Sequence, residues 1–166
     1  MDVAEIVRAD DAIEAGLDGI VAKRLDAPYQ SGARAMQKFK VWKTVDCVVG
    51  GLYRKGNSQA VESLLLGLYD EDGRLNYVGR ARVPADDAET ARLVEPLVGG
   101  DGFTGRAPGG KNRWSGKARK PVPLKPVLVA EVSADHITGE HMRHGARLLR
   151  WRNDKSPENC TMDQIR

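Results

Sequence analysis

Short runs in which apolar and polar residues alternate make up most of this chain, with helical spacing in two places. In residues 2–15, Val3, Ile6, Val7 and Ile13 recur at helical intervals, the acids come early, and Gly16 is placed to end a helix in a left-handed cap. Residues 18–23 form a short, largely apolar strand bracketed by Asp18 and Lys23, and residues 26–32 carry the Asp, Pro, Ser and Gly of a turn. Residues 37–43 then alternate as a strand, with Lys38 and Lys40 on one face and Phe39 and Val41 on the other.

Beyond Val45 the pattern becomes one of short strands at regular spacing. Regularly spaced β-branched runs predict strands over 46–53, 61–69 and 75–83, with turns at 54–58 and 70–73. Pro84 opens a predicted helix over 86–98, acidic at its start and stopped by Gly99-Gly100. Residues 101–123, rich in Gly, Pro and basic side chains and containing Phe103 and Trp114, read as a long loop. Strands over 127–132 and 148–152 complete the set. Three strands, a helix and two strands is the element order of an OB-fold, a five-stranded barrel used to bind oligonucleotides. The expected fold is therefore mainly β: an OB barrel over 42–166 with one helix between strands 3 and 4, preceded over 1–41 by a helix-strand-strand remnant of an α+β domain.

Composition changes this picture little. A length of 166 residues, 41% hydrophobic and 30% charged, suits one domain with part of another. The net charge of +3 is informative only once located. Residues 1–22 are acidic, whereas Arg106, Lys111, Arg113, Lys117, Arg119 and Lys120 fall together with no acid among them, a local block suited to a polyanion. Cys47 and Cys160 stand alone without CxxC spacing and read as reduced thiols of a cytosolic protein. No apolar run approaches a membrane span, and the N-terminus has no signal-peptide pattern. His136, Glu140, His141 and His144 match no metal-ligand spacing and read as a surface turn.

The chemistry concentrates in residues 143–155. Leu149 and Trp151 alternate with Arg150, Arg152 and Asp154, so a strand there sends the apolar pair into a core and lines its other side with guanidinium groups. Permanently charged planar forks suit phosphate oxygens; the alternative is a solvated sheet face. Trp151, alternating with arginines, reads as a core residue. Trp114, beside Arg113 and Lys117, reads either as a DNA contact or as a side chain packed under the loop.

Three separated motifs resemble the C-terminal part of bacterial ATP-dependent DNA ligases. Asp18-Gly19-Ile20-Val21-Ala22-Lys23 is similar to nucleotidyltransferase motif IV, which usually opens with Glu; Lys38-Phe39-Lys40 to motif V at the end of the adenylation domain; and residues 147–155 to motif VI on the OB domain. The resemblance implies that Lys38 and Lys40 hold the α-phosphate of ATP, with Lys23 and Arg147 also at the nucleotide, and that Asp18 helps hold Mg²⁺. It also implies that Arg150, Arg152, Asp154 and Lys155 swing over the nucleotide to orient pyrophosphate. Lys38 and Lys40 have a solvated strand face as their alternative. Lys111, Arg113, Trp114, Lys117 and Arg119 are the expected DNA contacts. Nicked duplex DNA is the implied partner, and a monomer associated with the bacterial nucleoid is expected.

The family's nucleophilic Lys-x-Asp-Gly motif does not occur in these 166 residues. The chain therefore reads as a ligase beginning partway through its catalytic domain, expected not to form a lysyl-adenylate alone, with 1–41 packing poorly and a separate upstream half as a further partner. The alternatives are a non-catalytic OB module that binds nucleic acid, and the related capping guanylyltransferases.

Overall fold

A computed structural model describes residues 19–23, 26, 28, 31–32, 36–40, 42–84, 86–109 and 119–166. The chain divides into two compact units, Met1–Lys43 and Thr44–Arg166. In the first, β1 (Gly19–Lys23) pairs antiparallel with β2 (Met36–Lys40). Strand β2 stops at Lys40 rather than running to residue 43, and Trp42 after it is 55% exposed. The helix read over 2–15 lies outside the described residues.

In the second unit, β3 (Lys43–Arg54), β4 (Val61–Tyr69) and β5 (Leu75–Arg82) form an antiparallel meander. Helix α1 (Ala88–Val94) follows and tightens into a 3₁₀ turn at Glu95–Leu97. Asp87 caps α1, accepting from the Thr90 backbone N–H at 2.9 Å and from its hydroxyl at 2.8 Å. Two residues of the expected loop form a short strand, β6 (Val122–Pro123), on β3. Next come β7 (Val129–Ala134), the small hairpin of β8 (Ile137–Thr138) and β9 (His141–Met142), and β10 (Ala146–Trp151).

The pairings β3–β4, β4–β5, β5–β10, β10–β7 and β7–β3 return to their starting strand and close a barrel. Strands β5 and β10 run parallel. Counting barrel strands in chain order, the ring runs 1-2-3-5-4-1 with the helix between the third and fourth, and this is the expected OB architecture.

The barrel interior is filled from alternate positions, among them Val45, Cys47, Leu64, Leu66, Leu68, Val78, Ala81, Val132 and Ala146. Strand β4 is nonetheless apolar on both faces, because its outer side is covered too: Leu65 is fully buried, and Phe103 from the long loop lies over Gly50 and Gly67. A Cβ added at either glycine meets the Phe103 ring at 2.8 Å, so these strand positions are bare in order to seat an aromatic ring. Tyr77 holds that ring edge-to-face at 5.7 Å between centroids.

One expectation about β10 is overturned. The ladder with β7 shifts register between Leu148 and Arg150, a β-bulge that leaves Leu149 as an extra residue. Leu148 and Trp151 pack against the core, while Leu149 is turned out and 46% exposed. Strict alternation placed Leu149 inside; the bulge breaks the period.

Candidate nucleotide-phosphate site at the end of strand β10

Arg150 sits near the end of β10 and Arg152 just beyond it, where the Arg152 backbone N–H donates to the Val129 carbonyl at 2.8 Å and keeps the chain against β7. Asp154 and Lys155 follow in a turn closed by the Lys155 N–H onto the Arg152 carbonyl. Four residues expected to act together are thus gathered at one edge of the barrel by a strand end and a single turn.

Each cation there meets a carboxylate. The Arg152 guanidinium donates from Nε to Asp154 Oδ1 at 2.8 Å and from Nη2 to Oδ2 at 2.9 Å. Its remaining nitrogen, Nη1, donates to both oxygens of Asp46, at 3.1 and 3.2 Å, and stands 3.7 Å from Glu131 Oε2. The Lys155 ammonium donates to Asp46 Oδ2 at 2.8 Å. Arg150 Nε donates to Glu131, the one charged residue of β7. Arg152 is therefore fixed on both edges of its fork, a geometry available to Arg and not to Lys. These contacts push the Arg152 pKa further up, the hydrogen bond it donates to Asp154 first, and draw the Asp154 carboxyl down to about 2, chiefly through its hydrogen bond with Arg152.

Asp46 is itself anchored. Its N–H donates to Gln164 Oε1 at 3.0 Å, and Gln164 Nε2 donates back to the Asp46 carbonyl at 3.0 Å. The Asp46, Glu131 and Arg152 side chains retain only 15%, 19% and 19% exposure, so the cluster is partly withdrawn from water. Sequence reasoning passed over Asp46 and Glu131. The available signal was a lone acid in each of two otherwise apolar strands, Val-Asp-Cys-Val-Val and Val-Ala-Glu-Val, since a carboxylate in such a run needs a partner.

Arg147 is placed differently. It lies beside Arg82 across the parallel β5–β10 pair, both exposed, in an open groove also lined by Leu149, Arg150, Trp151 and Asn153. Arg119 is engaged: its guanidinium meets Glu62, donates to the Arg54 carbonyl at 3.1 Å, and lies 4.6 Å over the Tyr53 ring. In the first unit, Lys38 faces Val21 and Lys40 faces Gly19 across the β1–β2 pair, so the two lysines share an exposed face, and Lys23 ends β1. A Cβ at Gly19 meets the Phe39 carbonyl at 2.3 Å, so glycine permits that close pairing. Asp18, Lys111, Arg113, Trp114 and Lys117 lie outside the described residues.

Among the described residues, no group of three or more His, Cys, Asp or Glu side chains is arranged to hold a metal ion, and no helix is long and apolar enough to cross a membrane. His141 tilts against Tyr77 at 5.5 Å, its pKa lowered by burial and then by Arg106.

Comparison with known proteins shows the family of the chain. The family model described as the ATP dependent DNA ligase C terminal region matches residues 57–155, which end at Lys155. DNA ligase C1 of Mycolicibacterium smegmatis is 40% identical over 91% of this chain and 45% of its own length. DNA ligase C of Mycobacterium tuberculosis is 40% identical over 91% of this chain and 47% of its own. The crystal structure of the ligase domain of M. tuberculosis LigD superposes with a TM-score of 0.60 at 29% identity, covering 92% of this chain and 50% of that one. A mycobacterial DNA ligase D complexed with ATP and MES gives a TM-score of 0.56 at 28% identity. The chain thus spans about half the length of the relatives it matches. The order of strands in the barrel, the cation cluster beyond β10 and the extent of the family match agree: the chain belongs to the C-terminal region family of ATP-dependent DNA ligases.

Proposed function

We propose that this chain serves as the C-terminal portion of a ligase that seals nicks in duplex DNA by adenylyl transfer, and that its own chemical contribution is to orient the pyrophosphate of ATP through Arg150, Arg152 and Lys155. The observation that carries this reading is the pairing of Arg152 and Lys155 on a single carboxylate, Asp46, at one barrel edge. Pyrophosphate departs with concentrated negative charge, and preorganised cations lower the cost of its departure. Asp154 holds the Arg152 fork in plane, so that a small movement of Asp46 relative to Arg152 opens one face of the guanidinium to an oxyanion.

In this reading Lys38 and Lys40, same-facing on β2, hold the α-phosphate. Lys23 and Arg147 join the nucleotide, and Asp18 takes part in holding Mg²⁺. Mg²⁺, when bound, would supply charge neutralisation to the complete reaction. The basic segment with Lys111, Arg113, Trp114, Lys117 and Arg119 contacts DNA. Residues 1–41 belong to the adenylation domain and 42–166 to the OB domain.

The test is reconstitution. Purified chain is added to a separately produced upstream adenylation half, and lysyl-adenylate formation on that half is measured. Stimulation by the chain is expected, with Arg152→Ala and Lys155→Ala each lowering it by about a hundredfold, the scale of a lost oxyanion contact. Stimulation that survives both substitutions overturns the assignment. The competing reading, a non-catalytic OB module, predicts no stimulation together with tighter binding to single strands than to nicked duplex.

A further inference from the structure

The cluster beyond β10 contains three cations, Arg150, Arg152 and Lys155, and three carboxylates, Glu131, Asp46 and Asp154, and every cation in it is engaged by at least one of them. The group is electrically balanced. An arrangement balanced in this way has little net attraction for an incoming anion, because the field of each cation is cancelled within a few ångströms. A polyphosphate therefore has to compete with the resident carboxylates for the same guanidinium and ammonium hydrogens.

The three carboxylates are not equivalent in that competition. Asp154 is two residues from Arg152 in the same turn and is 67% exposed, so it moves with the cations. Asp46 and Glu131 stand on β3 and β7, in the barrel wall, with side chains 15% and 19% exposed. Asp46 alone contacts both Arg152 and Lys155, and its backbone is bridged on both sides by Gln164. It is the fixed member from which the side chains of Arg152 and Lys155 have to detach.

We propose that Asp46 is a positioning residue that acts through Arg152 and Lys155: it parks the two cations as a matched pair on the resting barrel, and the polyphosphate displaces it as their counter-ion. The inference rests on the reading that these cations meet the pyrophosphate moiety. Parking keeps the pair side by side, and it sets a threshold that only a polyanion offering several oxygens at once passes. A chloride ion, a single atom unable to satisfy both cations together, leaves the pair on Asp46.

The test uses the purified 166-residue chain and inorganic pyrophosphate as probe, with binding followed by isothermal titration calorimetry. Asp46→Asn removes the charge and keeps the backbone groups that bind Gln164. It is expected to bind pyrophosphate about three- to tenfold more tightly than the wild type, the scale of removing one unit charge several ångströms from an anion in a water-rich setting. A gain is the informative sign, since a variant that merely loosened the structure binds less. The double variant Asp46→Asn with Arg152→Ala is expected to lose the gain, and Asp46→Glu to stay near the wild type. Glu131→Gln, which leaves the Gln164 bridge untouched, is expected to raise affinity in the same direction and serves if Asp46→Asn fails to fold. Equal or weaker binding by folded Asp46→Asn, with wild-type binding abolished by Arg152→Ala, overturns the counter-ion role and leaves the pyrophosphate reading standing. Wild-type binding indifferent to Arg152→Ala and Lys155→Ala removes the pyrophosphate reading and this proposal with it.

Discussion

Asp154 receives Arg152 edge-on, with both carboxylate oxygens taking parallel N–H donors at 2.8 and 2.9 Å, although only one residue separates the two in sequence. So short a loop holds one edge of the fork, while Asp46 on the barrel holds the other. The pH response follows from the carboxyl pKa, about 2 in the folded chain against an ordinary 3.8. A carboxyl lowered by folding adds stability that is fully present above its unfolded value and is lost as pH falls through the folded one. The contact is therefore expected to persist from neutral pH to below 3.8 and to dissolve toward 2. Carbon-detected NMR titration of the Asp154 carboxyl checks this: a midpoint near 2 is expected, moving back toward 3.8 in Arg152→Ala.

The bulge at Leu149 separates two apolar neighbours energetically. Leu149→Ser is expected to change unfolding free energy by less than about 0.5 kcal/mol, because the side chain is already turned to water. Trp151→Ala removes a ring packed on the core and is expected to cost about 2–4 kcal/mol. Urea unfolding of both variants decides it, and equal losses would mean that Leu149 is an interior residue after all.

Gly67 and Phe103 are expected to couple. A methyl group at Gly67 meets Phe103 and Leu75 at 2.8 Å, so Gly67→Ala overpacks the outer face of β4 and is expected to cost about 1–3 kcal/mol. In a Phe103→Ala background part of that clash is gone. The double variant should be less destabilised than the two single losses added together, by about 0.5 kcal/mol or more. Strict additivity in thermal unfolding counts against a ring seated on that glycine.

Helix α1 is short, and Asp87 caps it through both carboxylate oxygens. Asp87→Ala is expected to destabilise the barrel by about 1 kcal/mol, whereas Asp87→Ser or Asp87→Asn should retain most of the cap. Amide hydrogen exchange at Thr90 is the direct readout, with faster exchange expected in the Ala variant only.

Much of the barrel was legible because its strands obey simple rules. The apolar, β-branched runs over 61–69 and 75–83, the turn residues between them, and a helix within 86–98 rest on backbone geometry that any neighbour must accept, although the helix begins at Ala88 behind its Asp87 cap rather than at Pro84 and tightens after Val94. The grouping of Arg150, Arg152, Asp154 and Lys155 was legible too, since four residues in one strand end and turn have no room to separate. Errors fell where a local rule met a distant partner. The inward reading of Leu149 failed because a bulge adds a residue to one strand without any mark in that strand's own sequence.

What the sequence by itself determined about this protein is therefore its kind: an OB barrel whose last strand delivers a compact set of cations, in a chain of the DNA ligase family. The electrostatic state of those cations was decided only by tertiary structure. Asp46 lies 106 residues from Arg152, and Glu131 lies on a different strand again. Nothing in the spacing of either acid says which base it will meet. Closing the barrel brings β3, β7 and the end of β10 together, and at that point carboxylates partly withdrawn from water have to find counter-ions within a few ångströms. The result is a cation cluster that the primary structure displays as charged and the folded barrel holds neutralised.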